Sequence, residues 1–189
     1  MIQLTQKLRS GVMNLIEAPA PACGSGMVVV RNHYSLISPG TEGATVKAAR
    51  ASMVEKAQAR PEQVRQVWEV VRNQGPMAAY RAVMKKLDAY SPLGYSSAGE
   101  VVEIGQGVAS FKVGDKVACA GVGYANHAEI VAVPENLCVK LPEAADLKAA
   151  CYNTLGAIAL QGVRQADLRL GETCAVIGLG LLGQLTCLL

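Results

Sequence analysis

Three glycines near the end of the 189-residue chain are spaced for phosphate chemistry: Gly178, Gly180 and Gly183, in the order G-x-G-x-x-G. They follow the apolar run Cys174-Ala175-Val176-Ile177 and precede Leu181-Leu182-Gly183-Gln184-Leu185, an apolar-rich helix start. That order predicts a strand, a tight turn and a helix. The first glycine allows the turn, the second lets the main chain approach a pyrophosphate, and the third lets helix and strand pack closely. The helix N-terminus offers unpaired N–H groups and a positive dipole end to phosphate. Gly178, Leu179, Gly180, Leu181, Leu182 and Gly183 are therefore the candidate cofactor-binding residues, for NAD or NADP. The residue that tells those two apart is expected about 20 positions on, past Leu189. An ordinary tight βα turn is the other reading of the same residues.

The rest of the chain must position this turn. Its length allows one or two domains. No run of about 18 apolar residues occurs, so no membrane span is expected. The start, Met1-Ile2-Gln3-Leu4-Thr5-Gln6, lacks a basic region leading into an apolar core, so no secretory signal is read. A net charge of +3 is too small to argue for nucleic acid. Six cysteines, none spaced C-x-x-C, sit among apolar neighbours and are expected to be reduced, buried thiols of a cytoplasmic protein. A metal site of Cys119, His127 and Cys138 is the alternative, and it lacks a fourth ligand.

Gln3–Gln6 and Val12–Ile16 read as a hairpin around Arg9-Ser10-Gly11, and Met27–Ser35 as a β-branched strand. Glu42 to Tyr90 changes character, being rich in Ala, Lys, Arg, Gln and Met. Val64, Val67, Trp68 and Val71 make one helical stripe, and Tyr80, Val83, Met84 and Leu87 another. Pro61 suits a first helical turn, and Gly75-Pro76 separates two helices. Lys47, Arg50, Lys56, Arg60, Arg65, Arg72, Arg81, Lys85 and Lys86 give this segment a basic outer face. That face is either solvated or a docking surface for an anionic substrate or partner domain. From Ser97 short strands return, punctuated by glycine, with Tyr124–Val133 read as one of them, and they suggest a small barrel. Ala144–Cys151 and Thr154–Gln165 read as helices.

Four blocks then fall in a recognisable order: Gly99–Gly105, Phe111–Val117, Gly123–Glu129, and Leu170-Gly171-Glu172 running into the glycine turn. Together they resemble the N-terminal part of the medium-chain dehydrogenase/reductases, the zinc alcohol dehydrogenase and quinone reductase superfamily. The resemblance implies a mixed β and α fold. A chaperonin-10-like (GroES-like) β-barrel with a helical insertion at about 43–90 would occupy residues 1–145. Linking helices and the first strand and helix start of an NAD(P)-binding Rossmann domain would occupy 146–189. Ile37–Glu42, the helical insertion and Thr154–Arg164 narrow the likeness to bacterial bi-domain oxidoreductases, a group loosely associated with sugar metabolism. The implied partners are a small-molecule substrate and the remainder of a longer chain carrying a second oxidoreductase domain. Homo-oligomerisation stays open.

In zinc-dependent members, a Cys-Gly-x-Asp loop supplies a thiolate and a Gly-His-Glu triplet an imidazole. Here Ser38 stands at or near the first position, and Gly94-Tyr95-Ser96 replaces the triplet. Hydroxyls are not normal zinc ligands, and the four close cysteines of a structural site are missing as well. A donor or acid must then stabilise the alkoxide that forms on hydride transfer. Tyr95 is the candidate catalytic acid, Ser38, Thr41 and Ser96 candidate donors, and Glu42 a candidate for orienting a hydroxylated substrate. Thr154 joins the cofactor-binding set. The plainer alternatives are a packed Tyr95, a helix cap at Thr41-Glu42, and structural roles for His33 and His127.

Three functions compete at this point. The first is a zinc-independent NAD(P)-linked oxidoreductase. The second is a quinone or enoyl reductase of the same superfamily using NADPH, and the third is a non-catalytic docking module with a vestigial nucleotide site. The 189 residues alone are expected to be inactive, to bind no cofactor measurably and to self-associate through residues 173–189, where a lone strand would leave its edges unpaired. Metal analysis of the purified protein is expected to find no stoichiometric zinc, and about one zinc per chain contradicts that.

Overall fold

The computed structural model describes residues 1–51, 55, 58 and 61–189. By contact density it divides into two units. One comprises Met1–Gln3, Glu17–Ser38 and Leu93–Leu189, and the other Leu4–Ile16 and Pro39–Pro92.

The first unit is organised around a five-stranded antiparallel sheet. Its members are β3 (Met27–Ser35), β5 (Ser96–Ile104), β6 (Lys116–Ala120), β7 (Ile130–Pro134) and β8 (Cys138–Lys140), in the order β7-β3-β5-β6-β8. Alternation with period two carries Val28, Val30, Val101, Val117, Cys119, Val131 and Val133 onto one face, where Phe111, Ala125 and Cys138 complete a buried core. The β3–β5 register shifts twice, between Val29 and Val30 and between Asn32 and Tyr34. Gly99 lies opposite Asn32, and a Cβ there would collide with the Arg31 carbonyl. Glycine in a strand interior marks this kind of close backbone approach.

Three helices follow the barrel strands in the same unit: α4 (Leu147–Ala150), α5 (Asn153–Gln165) and α6 (Leu181–Leu188). The second unit holds a smaller sheet, ordered β2-β1-β4, from β1 (Ile2–Lys7), β2 (Met13–Glu17) and β4 (Tyr90–Pro92). It also holds α1 (Pro39–Arg50), α2 (Pro61–Gln74) and α3 (Pro76–Asp88). Gly75, at φ 87, breaks α2 from α3, and Pro76 opens the latter, as the two residue types dictate. Both expected stripes are half-buried apart from Trp68 and Tyr80, which stay exposed. Of the basic face, Lys47, Arg50, Arg65, Arg72, Arg81 and Lys85 are exposed, while Lys56, Arg60 and the Lys86 side chain lie outside what is described.

Three expectations need correction. Tyr124–Glu129 is a loop, and the strand read there starts only at Ile130, because the loop spends its amides on internal turns such as Ala125 N–H to the Gly121 carbonyl, 3.0 Å. The turn at Gly114, with φ 91, leads into β6 at Lys116. Cys174–Ile177 forms no ladder with any described strand, so its backbone is not a β-strand. Only Cys119, Cys138 and Cys151 are buried; Cys174 and Cys187 are exposed and Cys23 is half-buried.

Asp115 closes the loop into β6. Its side chain is 5% exposed, and its Oδ2 accepts from Lys140 Nζ at 2.8 Å and from the Lys112 amide at 3.0 Å. The Lys140 hydrogen bond, reinforced by the Lys112 amide, holds this carboxyl below its ordinary pKa of 3.8. A carboxyl depressed in the folded state adds stability that is complete above its unfolded pKa and lost as pH falls through the folded one. Urea unfolding between pH 7 and pH 3 should therefore show an acid loss of stability beginning near pH 4, about the unfolded carboxyl pKa. In Asp115→Asn the loss should be smaller and the neutral-pH midpoint lower. Identical pH profiles for the two proteins would remove Asp115 from this role.

Candidate functional site

Tyr95 immediately precedes β5 and Ser96 opens it, and main-chain groups around them are tied to other parts of the same unit. The Leu93 carbonyl accepts from the His127 amide at 2.8 Å. Gly94, at φ +96, has no room for a Cβ, which would lie 2.7 Å from the His127 nitrogen and 2.9 Å from its ring. His127 Nδ1 in turn sits 2.8 Å from Ser35 Oγ, so this histidine belongs to the frame. The Tyr95 carbonyl accepts from the Gly121 amide at 2.9 Å and from Thr154 Oγ1 at 3.3 Å. The Ser96 carbonyl accepts from the Leu36 amide at 2.9 Å.

The hydroxyl of Ser96, wholly buried, donates to the Cys151 carbonyl at 2.7 Å and accepts from the Thr154 amide at 3.3 Å. It thus caps α5, whose own preceding residue, Tyr152, supplies no side-chain cap. Next to it, Asn153 Nδ2 reaches the carbonyls of Ser97, Cys119 and Ala150, each at 3.2 Å. Its Oδ1 accepts from Thr154 Oγ1 at 3.1 Å. Residue type and spacing did not single out Asn153. The signal that could have found it is a short-amide residue at the first turn of a helix that must dock on a sheet.

Tyr95 itself is 9% exposed and packs with Leu36, Ala98, Cys151 and Leu155. Leu181 and Leu185 of α6 pack against the same cluster. The structure therefore brings Tyr95, Thr154 and the helix of the glycine turn into one neighbourhood. Ser38 is buried in this unit, whereas Thr41 and Glu42 belong to the other. Helix α1 opens at Pro39, so Thr41 and Glu42 lie in its first turn rather than capping it. The Thr41 carbonyl accepts from Thr45 Oγ1 at 2.9 Å.

The backbone of the glycine turn is tightly constrained. Gly178 adopts φ +95, and a Cβ on Gly183 would run into the Gly178 carbonyl. Gly180 caps α6 with no side chain, and the first intrahelical bond is Gln184 N–H to the Gly180 carbonyl at 2.9 Å. The amides of Leu181, Leu182 and Gly183 precede it, which suits an anion. Zinc fits less well. Ser96 Oγ is committed to main-chain partners, and a tyrosine or serine hydroxyl is a poor zinc donor. Among the described residues no three His, Cys, Asp or Glu side chains gather closely enough to share a metal. Cys119 and Cys138 have their sulfurs 3.8 Å apart in the barrel core, where hydrogen bonding between them and burial push the Cys119 thiol up.

Comparison with known proteins agrees with this architecture. The chain is 36% identical over 123 residues to a probable D-xylulose reductase A of Arthroderma otae, covering 50% of this chain and 34% of that protein. It is 32% identical over 117 residues to (R,R)-butanediol dehydrogenase of Bacillus subtilis, covering 49% and 34% respectively. The chain thus spans about a third of the length of these relatives. Its fold matches Escherichia coli quinone oxidoreductase complexed with NADPH, at a TM-score of 0.59 and 15% identity, over 88% of this chain and 41% of that one. Residues 24–143, well over half of the chain, match the alcohol dehydrogenase GroES-like domain, and the protein belongs to that family.

Proposed function

We propose that this chain is the barrel-side part of a zinc-independent oxidoreductase that moves a hydride between NAD or NADP and a hydroxyl or carbonyl on a small, sugar-like substrate. One observation carries the reading. The helix of the glycine turn packs, through Leu181 and Leu185, on the cluster that holds Tyr95. A dinucleotide-binding turn and a proton donor are thereby kept on one rigid piece of structure. The likeness to a xylulose reductase and a butanediol dehydrogenase supports a hydroxyl or carbonyl substrate.

Residues 146–189 make up the beginning of the cofactor domain, and the remainder of a longer chain completes it. Leu179 and the amides of Gly178–Gly183 would hold the phosphates of the dinucleotide, with Thr154 in the same cofactor-binding set. A bound nicotinamide supplies the hydride. Tyr95 gives its phenolic proton to the carbonyl oxygen as the alkoxide develops and takes it back in the reverse direction. Ser38, buried in the same unit as Tyr95, is the remaining candidate donor to the substrate. Ser96 drops out of the donor set, because its hydroxyl is already spent on α5. A quinone reductase is the second reading, favoured by the likeness to the NADPH-bound quinone oxidoreductase.

The test uses the protein in its complete natural form, with NADH and NADPH against hydroxylated sugars, their keto forms and quinones. Sugar-linked turnover is expected. Tyr95→Phe should lower kcat by about 100-fold, the scale of a lost general acid, and leave KM for the dinucleotide unchanged. Full turnover in that variant removes Tyr95 as the acid. Turnover with quinones alone moves the assignment to the second reading, and no dinucleotide-dependent turnover leaves a docking module.

A further inference from the structure

Asn153 ties several elements together at the site. Its amide has two N–H groups and three carbonyl partners, from β5 (Ser97), β6 (Cys119) and the last residue of α4 (Ala150). Two donors facing three acceptors must share one hydrogen. Its oxygen receives the Thr154 hydroxyl, which also reaches the Tyr95 carbonyl. Two strands and two helices therefore meet at one planar amide.

We propose that Asn153 is the positioning residue that sets the glycine turn against Tyr95, a role that rests on the oxidoreductase reading above. The chain of contacts is short. Asn153 fixes where α5 begins on the sheet. Helix α5 packs along α6, and α6 carries the turn at its N-terminus. A helix of 13 residues is about 20 Å long, so a small tilt at its start grows along its length. A misplacement of about 1 Å between reacting groups costs on the order of 100-fold in rate. The chemistry of the position is restrictive. It needs a short side chain with two donors for carbonyls and one acceptor for Thr154. Aspartate keeps the acceptor but turns a charged oxygen towards three carbonyls. Alanine supplies nothing, and serine keeps a single donor.

The experiment compares Asn153→Ala, Asn153→Asp and Asn153→Ser with the parent by amide hydrogen exchange and by kinetics. The probes are the amides of Thr154 and Gly121, bonded to Ser96 Oγ and the Tyr95 carbonyl. The amides of the β3–β7 ladder serve as the internal reference. Alanine and aspartate should speed exchange at both probes by about 10-fold or more with the ladder unchanged, and serine should fall between them and the parent. In the complete natural protein, kcat should drop by about 10-fold or more, while KM for the dinucleotide stays within about twofold. Unchanged probe exchange overturns the proposal, and so does unchanged kcat alongside faster exchange. If alanine fails to fold, the aspartate and serine proteins carry the same comparison. A parent without dinucleotide-dependent turnover counts against the oxidoreductase reading, and the exchange data then decide whether Asn153 fixes the start of α5 on the sheet.

Discussion

A helix that starts against a folded sheet buries amide N–H groups that something must satisfy. Helix α5 has no cap of its own, and the hydroxyl of Ser96, 58 residues earlier, does the work. That one hydroxyl fills two needs, because it also answers the Cys151 carbonyl. Without it, a donor and an acceptor would lie buried and unpaired, at about 1–3 kcal/mol each. The rest of the site follows from this bond. It fixes the start of α5 over the start of β5, which lets Thr154 reach the Tyr95 carbonyl and lets Leu155 close the cluster around the Tyr95 ring. Helix α6 then has a surface to pack on.

The same bond bears on metal binding in a way that residue type alone does not. A metal ligand must keep a lone pair free and aimed into open space. Ser96 Oγ has its proton on one main-chain group and a lone pair on another, inside the core. The Tyr95 carbonyl has both lone pairs occupied, so the residue is held by its backbone. A residue gripped in that way can present its side chain in a constant direction, which is what electrostatic preorganisation requires.

Much of the fold was legible in the sequence because it is encoded locally. Val28-Val29-Val30 and the Gly107 and Gly114 turns mark strands by β-branching and φ > 0, and β3 runs over the expected Met27–Ser35. The Val64/Val67/Val71 stripe and the Gly75-Pro76 break mark α2 and α3. The parts that were not legible depend on distant partners. The cap on α5 comes from another element, so cap rules read along the chain cannot find it. Asn153 looks like a common helix-start residue until its three carbonyls, two of them on separate strands, are in view. The strand read at Cys174–Ile177 has the right composition, yet a strand exists only when a neighbour accepts its hydrogen bonds. Tyr124–Glu129 failed for the opposite reason, since its glycine-led turns compete locally with a ladder.

The two halves of the candidate site are built on opposite principles. Around Tyr95, Leu36, Gly121, His127 and Thr154 all donate to neighbouring carbonyls, and side-chain packing excludes water from the ring. The glycine turn is open and bare. Leu179 is exposed, and Gln184 Nε2 to the Leu179 carbonyl, at 2.9 Å, is a side-chain bond that braces it from the helix. Phosphate oxygens can approach amides only where no Cβ intervenes, so the turn must give up side-chain packing and accept the backbone entropy of glycine. That cost is contained by letting Gly183 press on the Gly178 carbonyl, a contact that no other residue allows. A rigid wall can then meet a bare turn because both are anchored to the cluster of Leu36, Tyr95, Ala98, Cys151 and Leu155, where the apolar residues of α6 find cover.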